Sequence, residues 1–179
     1  MSLPTTESPS LSRQDNLTLA KPHSEDGSAV FDLIARCSPL DQNSMYCNLL
    51  QCSHFRDTSV VAKSGGTPVG FISGYRIPDR PDTLFVWQVA VDSSARGMGL
   101  ASRMLRHLID QVGQVEYLHT SITASNEASW RTFQRLARDL DAPMKEDVMF
   151  DYDRHFDGRH DTEALVMIGP IPHTPQQSI

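Results

Sequence analysis

The feature that most constrains this chain is a junction. An apolar run, Leu84 to Val91, passes into Asp92-Ser93-Ser94-Ala95-Arg96-Gly97-Met98-Gly99-Leu100-Ala101, and an amphipathic helix follows at once. A nearly unbroken apolar run bounded in this way reads as a central strand covered on both faces. Leu100, Met104, Leu108 and Val112 then recur at helical spacing and form one buried stripe, which predicts a helix from about Gly99 to Val112. Glycines let the backbone turn sharply and expose successive N–H groups. At a helix N-terminus those donors and the helix dipole favour an anion, and a pyrophosphate fits that description. Ala101 is small enough for close approach. An ordinary strand-to-helix turn could also use such glycines. The dinucleotide-binding fingerprint fits poorly, because the third glycine of G-x-G-x-x-G is missing.

The flanking sequence supplies the rest of an α/β unit. Leu17 to Ala20 reads as a first strand. His23-Ser24 offers a cap, and Glu25 and Asp26 suit the positive end of a helix that buries Val30, Leu33, Ile34 and Cys37 and stops before Pro39. A second helix is expected from Asn43-Ser44, with Met45, Leu49 and Leu50 inward. Thr58 to Ala62, the pair Gly65-Gly66 and Val69 to Tyr75 read as a hairpin, followed by a loop over Pro78 to Asp82. After the glycine loop come a strand over Glu116 to Thr123 and a helix over Asn126 to Leu140, with Trp130, Phe133, Ala137 and Leu140 inward. Strands over Met144 to Phe150 and Ala164 to Ile168 complete the order. The expectation is one α/β domain built on a mixed, twisted sheet of about seven strands.

Composition bounds the functional classes. The 179 residues suit one domain, placed at residues 16–170. Residues 1–15, rich in Ser, Thr and Pro, read as a disordered arm, and residues 171–179 as a flexible tail. A formal net charge of −6 argues against a nucleic-acid partner, whose phosphates demand a basic surface. Cys37, Cys47 and Cys52 form no CxxC pair, so no metal site is expected and reduced thiols are. No apolar run reaches the roughly 18–20 residues of a membrane span, and the N-terminus lacks the features of a signal peptide. A cytoplasmic location with no membrane partner is the expectation.

Arg96-x-x-Gly99-x-Ala101 matches the Q/R-x-x-G-x-G/A signature of the GNAT acetyltransferases. Val89-Ala90-Val91-Asp92 resembles the fourth strand of that family, and Asn126-Glu127-Ala128-Ser129 its second cofactor motif. The resemblance implies helices on both faces of the sheet and splayed fourth and fifth strands, with acetyl-CoA as cosubstrate between them. The pyrophosphate would rest on Arg96, Gly97, Met98, Gly99, Leu100 and Ala101, with Asn126, Ser129 and Phe133 beside it. The pantetheine arm would pair with the backbone of Val89, Ala90 and Val91 as an added strand does, and an N–H there would hold the thioester oxygen. The amine would attack directly, without an acyl-enzyme. One departure is evident. Many members carry a Tyr seven residues after the motif Asn, where it protonates the leaving thiolate; Phe133 stands there and has no proton to give.

Three further segments resemble one subfamily, the diaminobutyrate acetyltransferases of ectoine biosynthesis. They are Leu40 to Leu50 with Cys52-x-His54-Phe55, Gly74 to Gln88, and His160-x-x-Glu163-x-Leu165 followed by Ile168-Gly169-Pro170. The resemblance implies acetylation of the 4-amino group of L-2,4-diaminobutyrate, a role in osmoprotection, and a homodimer. It raises Asp41, Asn43, Tyr46, Trp87, His160 and Glu163 as substrate-binding candidates, with Trp87 and Glu163 catalytic. Taken alone, these residues permit other readings. Asp41 could be a helix cap or an Asx-turn, Trp87 a core residue or an aromatic wall over a cation. Glu163 could be a strand-end acid, His160 an exposed loop residue, and Tyr46 core or site. An acetyltransferase for polyamines or aminoglycosides would want similar acids, and a non-catalytic CoA-binding sensor would need only the glycine loop.

Overall fold

Alternation along the strands decides which face each helix covers. The computed structural model describes residues 16–172. Its strands are β1 (Leu17–Ala20), β2 (Val60–Ser64), β3 (Thr67–Ile77), β4 (Arg80–Val91), β5 (Tyr117–Thr123), β6 (Met144–Phe150) and β7 (Glu163–Ile168). Its helices are α1 (Gly27–Arg36), α2 (Met45–Ser53), α3 (Leu100–Val112) and α4 (Glu127–Asp139). One seven-stranded sheet runs in the order β1-β2-β3-β4-β5-β7-β6. Every pairing is antiparallel except β4 with β5, which is parallel. Ala62, Ile72, Leu84, Val86, Leu118 and Val166 face one way and pack with α3 and α4. Val61, Phe71 and Ala90 face the other and pack with α1 and Cys52 of α2. The α/β class, the seven strands and helices on both faces agree with the expectation from sequence.

Two irregularities position the site. First, β4 and β5 pair only from Thr83↔Tyr117 to Val86↔Thr120. Beyond that point neither strand pairs with the other, so the two splay apart. The Thr120 hydroxyl donates to the Val86 carbonyl at 2.9 Å, at the apex of the gap. Second, β3 and β4 slip register: Ser73 opposes Gln88 while Gly74 opposes Val86, which leaves Trp87 as the extra residue of a β-bulge. The bulge inverts the alternation. Leu84 and Val86 face α3 and α4 before it; Val89 and Val91 do so after it.

Several boundaries and faces differ from expectation. Met45, expected inward, is 43% exposed. The buried face of α2 instead carries Asn48, Gln51 and Cys52, and the Asn48 amide donates to the Gln51 side chain at 2.9 Å. Two amides that partly satisfy each other can face the core, so polarity alone misreports the face. Thr58 lies in a short 3-10 turn rather than in β2, its hydroxyl donating to the Gly74 carbonyl at 2.7 Å. The expected loop over Pro78 to Asp82 shrinks to a tight turn, with β4 beginning at Arg80. There Arg76 donates to the Pro81 carbonyl and to the C-terminal carbonyls of α3, Val112 at 3.2 Å and Gly113 at 2.6 Å. The long apolar run is not covered throughout, because Trp87 is 45% exposed. Ile171, expected in the tail, is 7% exposed, and its N–H donates to the Glu116 carbonyl at 2.8 Å. The arm at residues 1–15 and the tail from residue 173 lie outside the described residues.

Candidate active site

The glycine loop opens α3 in a way that leaves its donors free. Asp92 shapes the entry: its carboxylate accepts from the Ser94 N–H at 2.9 Å, from the Ser94 hydroxyl at 2.8 Å and from Arg36 at 3.2 Å. The Ser94 N–H above all holds the Asp92 carboxyl below its ordinary pKa. Gly97 and Gly99 both adopt positive φ, +77° and +68°, a backbone region costly for residues with a Cβ. Gly99 caps α3 without any side-chain bond. The first helical bond runs from Arg103 N–H to the Gly99 carbonyl at 3.1 Å, so the N–H groups of Leu100, Ala101 and Ser102 have no intrahelical acceptor. A Cβ on Gly97 or Gly99 would meet nothing within 4 Å. The bare backbone therefore fronts open space.

That space is a cleft of about 640 Å³ that reaches Val89 and Val91, on the stretch of β4 that does not pair with β5. Val89, Val91, Arg96, Gly97, Gly99, Leu100, Ala101, Asn126, Ser129 and Phe133, all singled out from sequence, line it. The Val91 carbonyl faces the cleft side, where Arg96 Nε (3.2 Å) and the Cys37 thiol (3.3 Å) donate to it. Peptide direction in a strand repeats every second residue, so the Val89 N–H and carbonyl also face the gap, where β5 does not pair with them. Ala90 turns its side chain to the α1 side, and Met98 is 51% exposed; neither lines the cleft. Asn126 caps α4 through the Ser129 N–H at 3.2 Å. Phe133 is both cleft wall and core, at 2% exposure.

The loop from Cys37 to Leu40 also lines the cleft, as do Arg131 and Arg135, and reasoning from sequence missed all of them. The spacing of Arg131 and Arg135 put them on one helical face, a legible hint; the loop carried no comparable signal. An extended chain ending in phosphates fits this donor set: bare glycines, free helix donors, three arginines and an unpaired strand edge.

A second constellation lies on the α1 and α2 face. Tyr75 and Phe85 are cross-strand partners with ring centroids 5.3 Å apart, and Trp87 meets Tyr75 edge-on at 6.5 Å. His160 Nε2 lies 3.6 Å from an Asp41 carboxylate oxygen and 3.9 Å from one of Glu163. Two segments distant in sequence thus converge, Asp41 from one and His160 with Glu163 from the other. Asp41 arrives on the loop between α1 and α2, His160 on the loop between β6 and β7, and Glu163 on the first residue of β7. His160 Nδ1 binds the Asp161 carbonyl at 2.7 Å, and the ring lies 4.6 Å from that of Phe156. A carbonyl only accepts, so Nδ1 carries a proton. A second proton on Nε2 then faces two carboxylates. The Asp161 bond first, then the charges of Glu163 and Asp41, push the His160 pKa up. Asn43 is half-buried and Tyr46 is 70% exposed; no hydrogen bond ties either to this cluster among the described residues.

Residues 28–137 match the model of the Acetyltransferase (GNAT) family. The chain belongs to the GNAT family. Among relatives of this GNAT chain, an L-2,4-diaminobutyric acid acetyltransferase of Methylotuvimicrobium alcaliphilum is 56% identical over 87% of the chain and 91% of its own length. One from Vibrio cholerae is 49% identical over 83% of the chain and 87% of its own length. Among solved structures, the diaminobutyrate acetyltransferase of Paenibacillus lautus, in complex with its substrate L-2,4-diaminobutyric acid and coenzyme A, is 38% identical. It superposes with a TM-score of 0.83, over 90% of this chain and 99% of that one.

Proposed function

We propose that the chain transfers the acetyl group of acetyl-CoA to the 4-amino group of L-2,4-diaminobutyrate. The observation that carries this reading is the convergence of Asp41, His160 and Glu163, with Glu163 opposite Thr123 beyond the last β4–β5 pair and the Asp41 backbone bonded to Gln88, the neighbour of Trp87. Two carboxylates and an aromatic wall suit a small cation. The names of the relatives supply the chemical class. On this reading the product feeds ectoine synthesis and osmoprotection in the cytoplasm, and the working form is a homodimer.

Acetyl-CoA supplies an activated thioester carbonyl. The residues that would hold it are the Arg96–Ala101 loop with Asn126 and Ser129 at the phosphates, and the strand edge at Val89 along the pantetheine arm. Asp41 and Glu163 bind the diamine and orient it. Asp41 is the exposed member, at 88% of its side chain, and is assigned to the 2-ammonium; Glu163, at 19%, is assigned to the reacting end. The 4-ammonium must lose a proton before it attacks, and an enclosed carboxylate beside it is suited to accept that proton. Trp87 walls the short chain between them. Free in water, the less basic 2-amino group would react more readily, so regiochemistry must come from positioning.

A panel of diamines with the acetylated nitrogen identified by NMR tests the reading. Ornithine, one methylene longer, should be poorer by about 10- to 200-fold in kcat/KM. Equal use of both diamines, or acetylation mainly at the 2-amino group, would point instead to a general amine acetyltransferase.

A further inference from the structure

Asp41 reaches the amine site on a loop. Its carboxylate is 88% exposed and, among the described residues, meets one basic side chain, His160, at 3.6 Å. A side chain so free is aimed only if its backbone is held. Gln88 of β4 holds it: Nε2 donates to the Asp41 carbonyl at 2.8 Å. Since a carbonyl only accepts, the amide nitrogen must face the loop, and Oε1 must face away. Oε1 is buried there with no partner among the described residues, on a residue 8% exposed. An unsatisfied buried acceptor destabilises a fold. A side chain with only packing to do at this position would carry no such penalty, so the bond to Asp41 accounts for a glutamine here.

The bulge explains why β4 can make this contact. Gln88 opposes Ser73, on the face of Phe71, and Trp87 meets Tyr75 on the same face. In regular alternation two neighbours would point to opposite faces. The extra residue lets Trp87 and Gln88 serve the amine side together, one as wall and one as hook. We propose that Gln88 is a positioning residue for the diamine: it acts through the Asp41 backbone to aim the Asp41 carboxylate at the substrate ammonium. This rests on the reading that Asp41 binds the diamine.

The test is steady-state kinetics on wild type, Gln88→Met, Asp41→Asn and the double variant. Gln88→Met keeps the volume and removes both polar atoms. It should raise KM for L-2,4-diaminobutyrate about tenfold, the worth of one hydrogen bond in a buried setting. KM for acetyl-CoA should stay within about twofold, because uniform cofactor binding is untouched. In the Asp41→Asn background the Gln88→Met effect should vanish, since a residue acting through another is non-additive with it. If Asp41→Asn raises KM and Gln88→Met does not, the role of Gln88 is overturned and Asp41 keeps its own. Effects that simply add in the double variant overturn it as well. If Asp41→Asn itself leaves KM unchanged, the reading of the amine site fails, and this proposal with it. Coenzyme A affinity by calorimetry monitors the fold. Should Gln88→Met lose that affinity, Gln88→Glu, which keeps the shape and loses the donor, must show the same rise in KM or the proposal is refuted.

Discussion

The two ends of α3 offer a matched experiment on the cofactor cleft. Gly99 caps the N-terminus at φ +68°, ψ +20°, and Gly113 caps the C-terminus at φ +63°, ψ +160°. A Cβ on either would meet nothing within 4 Å, so alanine costs conformational energy and no steric clash. The left-handed region costs about 1–2 kcal/mol at Gly99; the region occupied by Gly113 costs about 1–3 kcal/mol. At roughly 2–4 °C per kcal/mol for a chain of this size, Gly99→Ala should lower Tm by about 2–8 °C and Gly113→Ala by at least as much. Their effects on the cofactor should diverge. The open space before Gly99 is the cleft, and the new methyl group, together with any backbone shift that relieves the strain, disturbs donors aimed at phosphate. Each charge-assisted bond lost is worth about 1.5–3 kcal/mol, or roughly 10- to 150-fold in Kd. Calorimetric titration with coenzyme A should therefore show at least a tenfold loss in Gly99→Ala and near wild-type affinity in Gly113→Ala. Wild-type affinity in Gly99→Ala, or an equal loss in both variants, would refute the assignment of the loop to phosphate.

Two further outcomes are expected. His160 holds its proton above the ordinary histidine pKa of 6.5; while charged, it offsets one of its two carboxylate neighbours. KM for L-2,4-diaminobutyrate should therefore fall as pH rises through a value above 6.5, and the inflection should be absent in His160→Asn; a wild-type KM that is flat or rises across that range would contradict this. Light scattering at micromolar concentration should give a homodimer, and a monomer there would remove the proposed assembly.

The fold class was legible in the sequence because period and punctuation are local. The stripe from Leu100 to Val112, the β-branched strands and the Gly65-Gly66 turn each act over a few residues, and most elements lie within two residues of their expected bounds. The geometry of the glycine loop was legible for the same reason: a strand, two glycines and a helix are contiguous, and so are the donors they expose. Boundaries failed where a distant partner intervened. Thr58 leaves β2 because its hydroxyl binds Gly74, and the expected loop at Pro78 closes beside the Arg76 guanidinium, which is held by the distant carbonyls of Val112 and Gly113.

For the proposed amine site, the sequence by itself determined which residue types were available, and the resemblance of whole segments picked out Asp41, Trp87, His160 and Glu163. It could not decide whether they meet. Each had an equally good local reading as cap, core residue, loop histidine or strand-end acid; His160 and Glu163 are three residues apart, but nothing near them in sequence depends on Asp41 or Trp87. Tertiary structure decided that Asp41 and Glu163 both come within 3.9 Å of His160, while among the described residues no hydrogen bond draws Asn43 or Tyr46 into the cluster. It also decided the part played by the bulge at Trp87. A bulge is a relation between two strands, one residue against two, and a strand read alone carries no mark of it. Without that slip, alternation would turn Trp87 and Gln88 to opposite faces. The register of β3 against β4, set by the packing of both faces of the sheet, is what puts them on the same side.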